Sequence, residues 1–292
     1  ILLILTLVLV FVGVMMIYSA SNVIAFKKFG EGSHFLLKQL IWVTLGVGML
    51  FLVSRFHYRH LQRAVIPLTI FSLILLGVVL VPGVGQEING ASRWLRVGSM
   101  VFQPSEFAKL SLIIYLAHYL TKGPEKMQGF VCGLLPVLAI TGLGVLLILV
   151  EPDLGTAVTL ALVVVSLLFV GGARLRHLFI LGLSSLPVLA YLIWGTEYRW
   201  QRWLTYLDPW RDPSDAGFQI IQSFLAFGSG GELGVGLGEG RQKLFFLPYP
   251  HTDFIFSVIG EELGLVGTFS ILLCFLFLVW RGLKLATRVQ DP

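Results

Sequence analysis

Long uncharged segments are the feature that most constrains how this chain can fold. An α-helix rises about 1.5 Å per residue, so about 20 residues cross the roughly 30 Å hydrocarbon core of a bilayer. Because these segments are continuously apolar and do not alternate, a transmembrane β-barrel is excluded. We therefore predict an all-α polytopic membrane protein. The uncharged segments of this length are Ile1–Phe26, Ala64–Gln86, Met127–Val150, Leu154–Ala173 and His177–Thr196.

The composition agrees with a membrane protein. Charged residues make up 13% of the chain, about half of the roughly 25% usual in soluble domains, so a soluble globular protein is ruled out. The formal net charge is +5, but the basic residues are dispersed between apolar segments and form no stripe or patch. We therefore predict no nucleic-acid partner.

Three shorter apolar segments, Gln39–Ser54, about Pro104–Thr121 and about Asp253–Trp280, bring the predicted count to eight transmembrane helices. Lys and Arg in short loops mark the cytoplasmic side. With the spans numbered in chain order, the loops after the even-numbered spans hold ten Lys and Arg residues, and the loops on the other side hold four. Both ends of the chain are therefore predicted to be cytoplasmic. The ten are Arg55, Arg59, Arg63, Lys122, Lys126, Arg174, Arg176, Arg281, Lys284 and Arg288, and the four are Lys27, Lys28, Arg93 and Arg96.

The long connection between spans seven and eight, residues 196–252, is then extracytoplasmic. Residues 1–292 are predicted to form a single membrane domain that includes this loop. The first part of this loop carries aromatic residues typical of a membrane interface, namely Tyr198, Trp200, Trp203, Tyr206 and Trp210. The uncharged run Phe218–Phe227 is too short to span and predicts re-entrant or interfacial helices.

A glycine-rich segment follows, with seven glycines in the thirteen positions Gly228–Gly240. It fits neither the dinucleotide-binding nor the phosphate-loop pattern, so no nucleotide fold is indicated. Two interpretations stay open. One is a flexible surface loop, and the other is a close-fitting lip over a polar cavity.

Charged residues near the membrane are costly and are usually functional or paired. Glu106 and Lys109 share one face of span four and can neutralise each other; the alternative role is a simple ion pair that permits insertion. Asp153 follows the turn after span five and is either functional or the N-cap of the next helix. Asp253 lies where the chain enters span eight, and it is either functional or a cap of that helix.

Two further acids, Glu261 and Glu262, lie inside span eight, followed by Gly264 and Gly267. The acids suggest burial toward a bundle interior, and the small residues suggest close helix packing. On physical grounds alone, such a bundle is a transporter with a midplane site or an enzyme acting on a lipid-linked substrate. Polar residues concentrate toward the outer side and no inverted repeat is visible, which favours the enzyme.

Five motifs resemble those of one known family in the same order along the chain. They are Tyr18-Ser19-Ala20-Ser21, Asn89-Gly90-Ala91-Ser92-Arg93-Trp94-Leu95, Gln103-Pro104-Ser105-Glu106, Glu151-Pro152-Asp153-Leu154-Gly155-Thr156 and His251-Thr252-Asp253-Phe254-Ile255-Phe256. The chain resembles the SEDS (shape, elongation, division, sporulation) family. Asn89–Leu95, Gln242-Lys243-Leu244 and Gly260-Glu261-Glu262-Leu263-Gly264 are more similar to its FtsW-type division branch, or the sporulation relative of that branch, than to its elongation branch.

The resemblance implies a peptidoglycan glycosyltransferase that polymerises lipid II, the undecaprenyl-diphosphate-linked precursor, at the outer face of the bacterial cytoplasmic membrane during septal wall synthesis. It implies an inverting transfer with Asp253 as the catalytic base. We expect Asp253 to need a partly desolvated setting that raises its pKa, opposed by the helix N-terminus. Two alternatives remain, a flippase for lipid-linked precursors and a non-catalytic scaffold for a transpeptidase.

The substrate-binding candidates follow from position and residue type. Lys109, held by Glu106, is the first candidate for the diphosphate, with Arg93, Arg241 and Lys243 as alternatives. Hydrogen bonds to sugar or peptide are expected from Gln219, Gln222 and Ser223, and Asp153, His251 and Thr252 complete the candidate site. No metal site is predicted, and a divalent cation stays an alternative only if the fold gathers Glu106, Asp153 and Asp253.

The family resemblance also implies partners and a longer design. A class B penicillin-binding protein, which crosslinks new glycan, and other membrane proteins of the division machinery are the expected partners. The family design has ten spans, so this chain is expected to be a fragment that lacks the last two.

Overall fold

The computed structural model describes residues 1–57, 59–88, 91–98, 100–122, 127–244 and 246–289. Helices dominate this described part of the chain, with one small sheet after the third helix. The helices are α1 (Leu2–Phe29), α2 (His34–Ser54), α3 (Arg59–Val79), α4 (Pro104–Thr121), α5 (Leu135–Val150), α6 (Leu154–Val170), α7 (Leu175–Trp194), α8 (Glu197–Leu207), α9 (Phe218–Gly230) and α10 (Ile255–Ala286). The strands are β1 (Gly85–Ile88), β2 (Ala91–Val97) and β3 (Met100–Phe102).

Six helices of the described residues are long and apolar enough to cross a membrane: α1, α2, α3, α7, α10, and α5 together with the π-helical turn Phe130–Leu134 that precedes it. This confirms a multi-pass helical membrane protein. The predicted count of eight is not confirmed. The remaining two predicted spans are helices, but α6 has only 17 residues, and Glu106 and Lys109 lower the hydropathy of α4.

Apolar side chains cover much of the surface. No residue of α2 is buried, and Ile41, Trp42 and Leu45 are each more than half exposed. A soluble protein rarely exposes a continuous apolar face of this kind, whereas lipid tails cover it without cost.

The chain folds into two compact units. The first contains Ile1–Arg55 and Ala190–Pro292. In this unit α10 packs against α1 and α9, and α1 also packs against α2. Its buried core includes Met16 of α1, Val258 of α10 and Leu247 of the intervening loop.

The second unit contains Phe56–Leu189. Here α3 packs along α4, while α4 and α5 both contact α6. Leu76, Leu112, Ile148 and Leu160, one from each of these four helices, are almost completely buried in its core. The core therefore joins elements that are far apart in the sequence.

The sheet of the second unit was not predicted. Its order is β1-β2-β3 with antiparallel pairing, and Leu95 of β2 faces Gly85 on one side and Phe102 on the other. The predicted third span continued to Gln86, but α3 ends at Val79 and a turn follows, in which Gly83 has φ of +86°. Asn89 and Gly90 of the family motif, and Lys126, lie outside the described residues.

Candidate functional site

The charged pair of α4 lies in the first turn of the helix. Nζ of Lys109 donates to Oε1 of Glu106 at 2.8 Å, which confirms that the two share one face. The side chains are 26% and 58% exposed, respectively. Glu106 also benefits from the free N–H groups at the helix start. The pair is therefore accessible, and the ammonium can bind an anion while Glu106 holds it.

The turn between α5 and α6 contains Asp153, which caps α6. Its Oδ1 accepts the backbone N–H of Thr156 at 3.1 Å, and its Oδ2 accepts the Thr156 hydroxyl at 2.8 Å. The capping alternative is thus confirmed. Gln103, just before α4, also donates to Oδ2 at 3.5 Å.

Arg93 projects from β2 onto this turn. Its Nε donates to the Glu151 carbonyl at 3.2 Å and its Nη2 to the Pro152 carbonyl at 2.5 Å, while Nε lies 4.0 Å from Oδ2 of Asp153. Nη1 has no partner among the described residues. Because one third of the side chain is exposed, Arg93 is fixed in place with one donor group left for an anion.

Glu151 is the unexpected member of the same turn. Its side chain is fully buried, and neither carboxyl oxygen has a hydrogen-bond partner in the described part of the chain. The pKa of Glu151 is raised from 4.5 to about 7, mainly by burial and also by the charge of Asp153, while Arg93 opposes the shift. The sequence offered only the presence of an acid beside a proline, which did not single out Glu151.

Asp253 lies in the turn that leads into α10. Thr252 and Phe254 both donate their backbone N–H groups to the Tyr249 carbonyl, at 3.2 and 3.4 Å. The helix begins at Ile255, its N-cap is Phe254, and no side chain caps it. The capping alternative for Asp253 is therefore wrong.

The surroundings of Asp253 also differ from the expectation. The residue is exposed, and its carboxylate forms no hydrogen bond or ion pair with any described residue. The partly desolvated setting expected from the sequence is not present in this chain alone, because the turn places Asp253 at the surface. Its oxygens are free to accept a proton or a substrate hydroxyl.

His251, two residues earlier, is half-buried. Its ring lies 4.6 Å from the ring of Phe35 on α2, and its Nδ1 is buried with no partner among the described residues. Burial lowers the pKa of His251 below its usual value, and the charge of Asp253 opposes this shift. The imidazole is therefore neutral at pH 7. Thr252 donates its hydroxyl to the Tyr249 carbonyl and belongs to the turn itself.

The run predicted as a re-entrant or interfacial element forms α9, which packs on α10. The hydroxyl oxygens of Ser223 and Ser257 lie 2.6 Å apart across this contact. Gln219 is exposed and Gln222 is half-buried, and neither side-chain amide has a partner in the described residues. The two glutamines are therefore available to a ligand, whereas Ser223 is already bonded.

The glycine-rich segment closes a break in α10. Gly264 has φ of 65° and ψ of −164°, so the N–H groups of Leu265 and Val266 cannot reach the carbonyls of Glu261 and Glu262. Residues 231–236 supply the missing partners. Leu265 and Val266 donate to the carbonyls of residues 231 and 232 at 3.0 and 3.1 Å, while the N–H groups of residues 235 and 236 donate to the carbonyls of Glu261 and Glu262 at the same two distances.

Glycines are required at this junction because two backbones touch. An added Cβ at Gly234 would overlap the Glu262 carbonyl, and one at Gly264 would overlap the backbone of residues 232–234. The close-fitting interpretation therefore describes residues 230–236 better than a flexible loop does. Gly264, which sequence analysis assigned to helix packing, instead interrupts the helix.

Lys243 is not available to a diphosphate in this structure. Its ammonium lies 2.6 Å from Oε1 of Glu262, and the two side chains are 5% and 0% exposed. It also donates to the hydroxyl of Ser19 at 2.9 Å and to the Gly238 carbonyl at 2.7 Å. The prediction of direct substrate contact is corrected here, because all three donors of the ammonium are already occupied.

Glu261 and Glu262 are buried, as predicted. The carboxylate of Glu261 accepts the backbone N–H groups of Arg241 and Gln242, with the shortest contact at 2.7 Å. Arg241 lines a cavity of about 360 Å³. The other lining residues are Ser229, Val235, Glu239 and Glu261.

Within the described residues, no group of three or more His, Cys, Asp and Glu side chains is arranged to hold a metal ion. The divalent-cation alternative thus gains no support from the structure. Sequence reasoning also assigned no role to Ser19 or Glu151, although Ser19 lies in a motif that carries the resemblance. A hydroxyl inside an apolar helix was the available signal for Ser19.

Comparison with known proteins identifies clear relatives. The sequence profile of the FtsW, RodA and SpoVE group, described as cell cycle proteins, matches residues 1–292. A probable peptidoglycan glycosyltransferase FtsW of Geobacter sulfurreducens is 47% identical over 280 residues, which are 96% of this chain and 75% of that protein. Stage V sporulation protein E of Bacillus subtilis is 42% identical over 290 residues, 99% of this chain and 79% of that protein.

Solved structures give the same grouping. A chain from a peptidoglycan synthase complex, described as coordinating polymerization and crosslinking, matches with a TM-score of 0.77 and 34% identity over 99% of this chain and 78% of its own length. The rod shape determining protein RodA of Thermus thermophilus matches with a TM-score of 0.69 and 30% identity, over 99% and 75%. The chain therefore spans about three quarters of the length of these relatives.

Proposed function

The chain belongs to the FtsW/RodA/SpoVE family of cell cycle proteins, and from this membership we infer that it is a peptidoglycan glycosyltransferase. The resemblance to the SEDS family seen in its motifs is thereby confirmed. Relatives that carry this enzymatic name are 39–47% identical over nearly the whole chain. The fold is also similar to that of RodA, with a TM-score of 0.69.

We propose that the substrate is lipid II and that the chain extends glycan strands at the outer face of the cytoplasmic membrane. In this reaction the 4-hydroxyl of the acceptor sugar attacks C1 of the donor. The new glycosidic bond forms as the bond from C1 to the diphosphate oxygen breaks, undecaprenyl diphosphate leaves, and the configuration at C1 inverts. A base must take the hydroxyl proton, and positive charge must stabilise the leaving diphosphate.

The observation that carries this proposal is the free carboxylate of Asp253. It lies at the surface on a turn fixed by backbone hydrogen bonds, so it can receive the proton of an acceptor hydroxyl directly. Because His251 beside it is neutral, no cation of this turn competes for the carboxylate. Bound lipid II would then cover the carboxylate and exclude water from it.

The leaving diphosphate requires cations that remain accessible. Lys109, held by Glu106 at 2.8 Å, is the first candidate, and the free Nη1 of Arg93 is the second. Arg241 stays a candidate because it lines a cavity. Gln219 and Gln222 are the candidates for hydrogen bonds to sugar or peptide.

The other predicted site residues take supporting roles in this proposal. Asp153 holds the start of α6 and lies within ion-pair distance of Arg93, and Ser223 joins α9 to α10. His251 and Thr252 shape the turn that carries Asp253. Residues 196–252 are proposed to face the outside, where lipid-linked precursors are polymerised.

We further propose that the chain works with a class B penicillin-binding protein, whose transpeptidase crosslinks the new strands. The similarity to a chain of a synthase complex that couples polymerization and crosslinking supports this pairing. Other division membrane proteins are proposed partners, and the inner membrane at the septum is the proposed location, since most of the closely similar relatives carry the name FtsW.

Reconstitution tests the function against its two rivals. The protein, in liposomes carrying lipid II, is expected to produce glycan polymers that a lysozyme-type hydrolase degrades. Movement of lipid II between leaflets without polymer would instead identify a flippase. Absence of both activities, with restored crosslinking only when an active polymerase is added, would identify a scaffold and overturn the proposal.

A further inference from the structure

A buried polar cluster lies where α1, α10 and the loop before α10 meet in the first unit. We call it the Ser19 cluster; it consists of Ser19, Lys243 and Glu262. The Ser19 hydroxyl lies 2.7 and 2.8 Å from the two carboxylate oxygens of Glu262. Lys243 contacts both partners, at 2.9 Å for Ser19 and 2.6 Å for Glu262. Each member therefore touches the other two.

The cluster also forms two hydrogen bonds with the backbone of Gly238 in the loop. The Gly238 carbonyl accepts from Lys243 at 2.7 Å, and the Gly238 N–H donates to Oε2 of Glu262 at 3.0 Å. The neighbouring carboxylate of Glu261 accepts the N–H groups of residues 241 and 242. Charged groups of α10 thus hold the loop at residues 238, 241, 242 and 243.

Stability alone is a weak reason for such a cluster. Removing two charges from water costs several kcal/mol per ion, and well-packed apolar residues in place of a buried ion pair often leave stability equal or higher. A buried ion pair is better explained by the single chain conformation that it favours. Any other conformation would leave one of the two charges buried without its partner, which is costly. Here the favoured conformation is that of the loop.

This loop leads to the proposed base. Only nine residues separate Lys243 from Asp253, and one of them, Leu247, is buried against Met16 and Val258. The turn from Tyr249 to Phe254 then presents Asp253. The position of the Asp253 carboxylate thus depends on where the preceding loop is fixed.

We propose that Ser19, Lys243 and Glu262 are positioning residues that hold the Asp253 loop against α1 and α10 in the geometry required for proton transfer. This inference rests on the proposed function of Asp253. A displacement of about 1 Å at a reacting group can cost on the order of 100-fold in rate. The cluster therefore acts on the chemical step and leaves binding of lipid II largely unchanged.

The double variant Lys243→Met/Glu262→Gln tests this role without leaving a buried charge unpaired. Steady-state polymerisation of lipid II is measured for the reconstituted protein, with hydrogen exchange of residues 231–247 and the thermal midpoint. We expect kcat to fall by about 100-fold, KM to stay within about twofold, and exchange to accelerate at residues 238–243. Lys38→Met, an exposed lysine of the same unit, is the matched control and should change none of these.

Wild-type kcat in the double variant would overturn the proposal. If the double variant unfolds, Ser19→Ala decides the question, because it removes one hydroxyl and creates no unpaired charge. A fall in kcat of about threefold to tenfold at constant thermal midpoint, comparable with one lost hydrogen bond, supports positioning; unchanged kcat overturns it. The proposed function fails separately, if the unmodified protein makes no polymer in the same assay.

Discussion

Asp253 and Lys109 keep accessible charged groups, whereas the ammonium of Lys243 and the carboxylate of Glu262 lie 2.6 Å apart and are buried. Residue type and sequence position made Lys109 the first candidate for the diphosphate and Lys243 an alternative. Accessibility separates them, because a cation whose donors are all occupied cannot stabilise a leaving group. At the scale of single residues, the surroundings therefore decide the role.

The role of Lys109 can be tested by Lys109→Met, which keeps the length of the side chain and removes its charge. We expect the rate of lipid II polymerisation to fall on the order of 100-fold, as is typical when one group that stabilises developing negative charge is lost. Lys122→Met, at the other end of α4, should polymerise at the wild-type rate. A Lys109→Met variant as active as this control would remove Lys109 from the mechanism.

Glu151 predicts a pH dependence of stability. Its pKa is about 7 in the folded chain against 4.5 without burial, so the folded chain binds this proton more tightly. The stabilising contribution is full below pH 4.5 and is lost as the pH rises towards 7 and above; over that window it amounts to about 3 kcal/mol.

Glu151→Gln should remove this dependence, because glutamine stays neutral. Relative to wild type, the variant should gain stability between pH 5 and pH 8, measured as the thermal midpoint in detergent. Glu87→Gln, an exposed glutamate of the same unit, serves as the control and should follow wild type. Parallel curves for wild type and Glu151→Gln would show that Glu151 ionises normally in the folded protein.

At the scale of elements, the break in α10 joins two segments that sequence patterns treat separately. Two backbone hydrogen bonds that a continuous helix would form within itself are replaced by four bonds to residues 231–236. The glycine-rich segment and the two buried acids of α10 therefore belong to one element. The two parts of this joint element lie on either side, in sequence, of the turn that carries Asp253.

Gly264→Ala tests this joint. The conformation of Gly264, with φ of 65° and ψ of −164°, is almost restricted to glycine and costs a residue with a side chain on the order of 1–3 kcal/mol. The added Cβ would also overlap the backbone of the glycine-rich segment. We expect a lower thermal midpoint and faster hydrogen exchange at residues 231–236. Gly282→Ala, in the same helix with open space around its added Cβ, should leave both unchanged or slightly improve stability. Equal behaviour of the two variants would contradict the role given to Gly264.

Sequence patterns predicted the helices well, because long uncharged runs occur where side chains are buried or contact lipid. They missed the sheet around Arg93, since its strands are short and interrupted by turns. The Ser19 cluster could not be predicted, because Ser19 and Lys243 are 224 positions apart and local periodicity carries no information on such pairing. For Asp253 the motif indicated the position, while the free carboxylate could be seen only in the structure.

At the scale of the whole molecule, the apolar surface indicates a membrane protein, and the charge of the loops predicts its orientation. Large apolar side chains are exposed along the spanning helices, and the basic residues concentrate in alternate loops. This pattern predicts that both ends lie in the cytoplasm and that the loop of residues 196–252 lies outside.

The orientation can be measured by cysteine labelling in whole cells, after Cys132 and Cys274 are replaced by Ala. Leu233→Cys, at a position 80% exposed in the glycine-rich segment, should react with a membrane-impermeant maleimide added outside. Arg63→Cys, in α3 at the predicted cytoplasmic side, should react only after permeabilisation. The reverse pattern would overturn the orientation and, with it, the proposed outer site.

The central claim is that the chain polymerises lipid II with Asp253 as the base, and Asp253→Asn tests it most directly. Asparagine keeps the size of the side chain, so membrane insertion and the thermal midpoint should match those of wild type. Its amide cannot accept the proton of the acceptor hydroxyl. We expect this variant, in liposomes with lipid II, to produce no glycan polymer. Polymer formation at the wild-type rate by the folded, inserted variant would show that Asp253 is not the base.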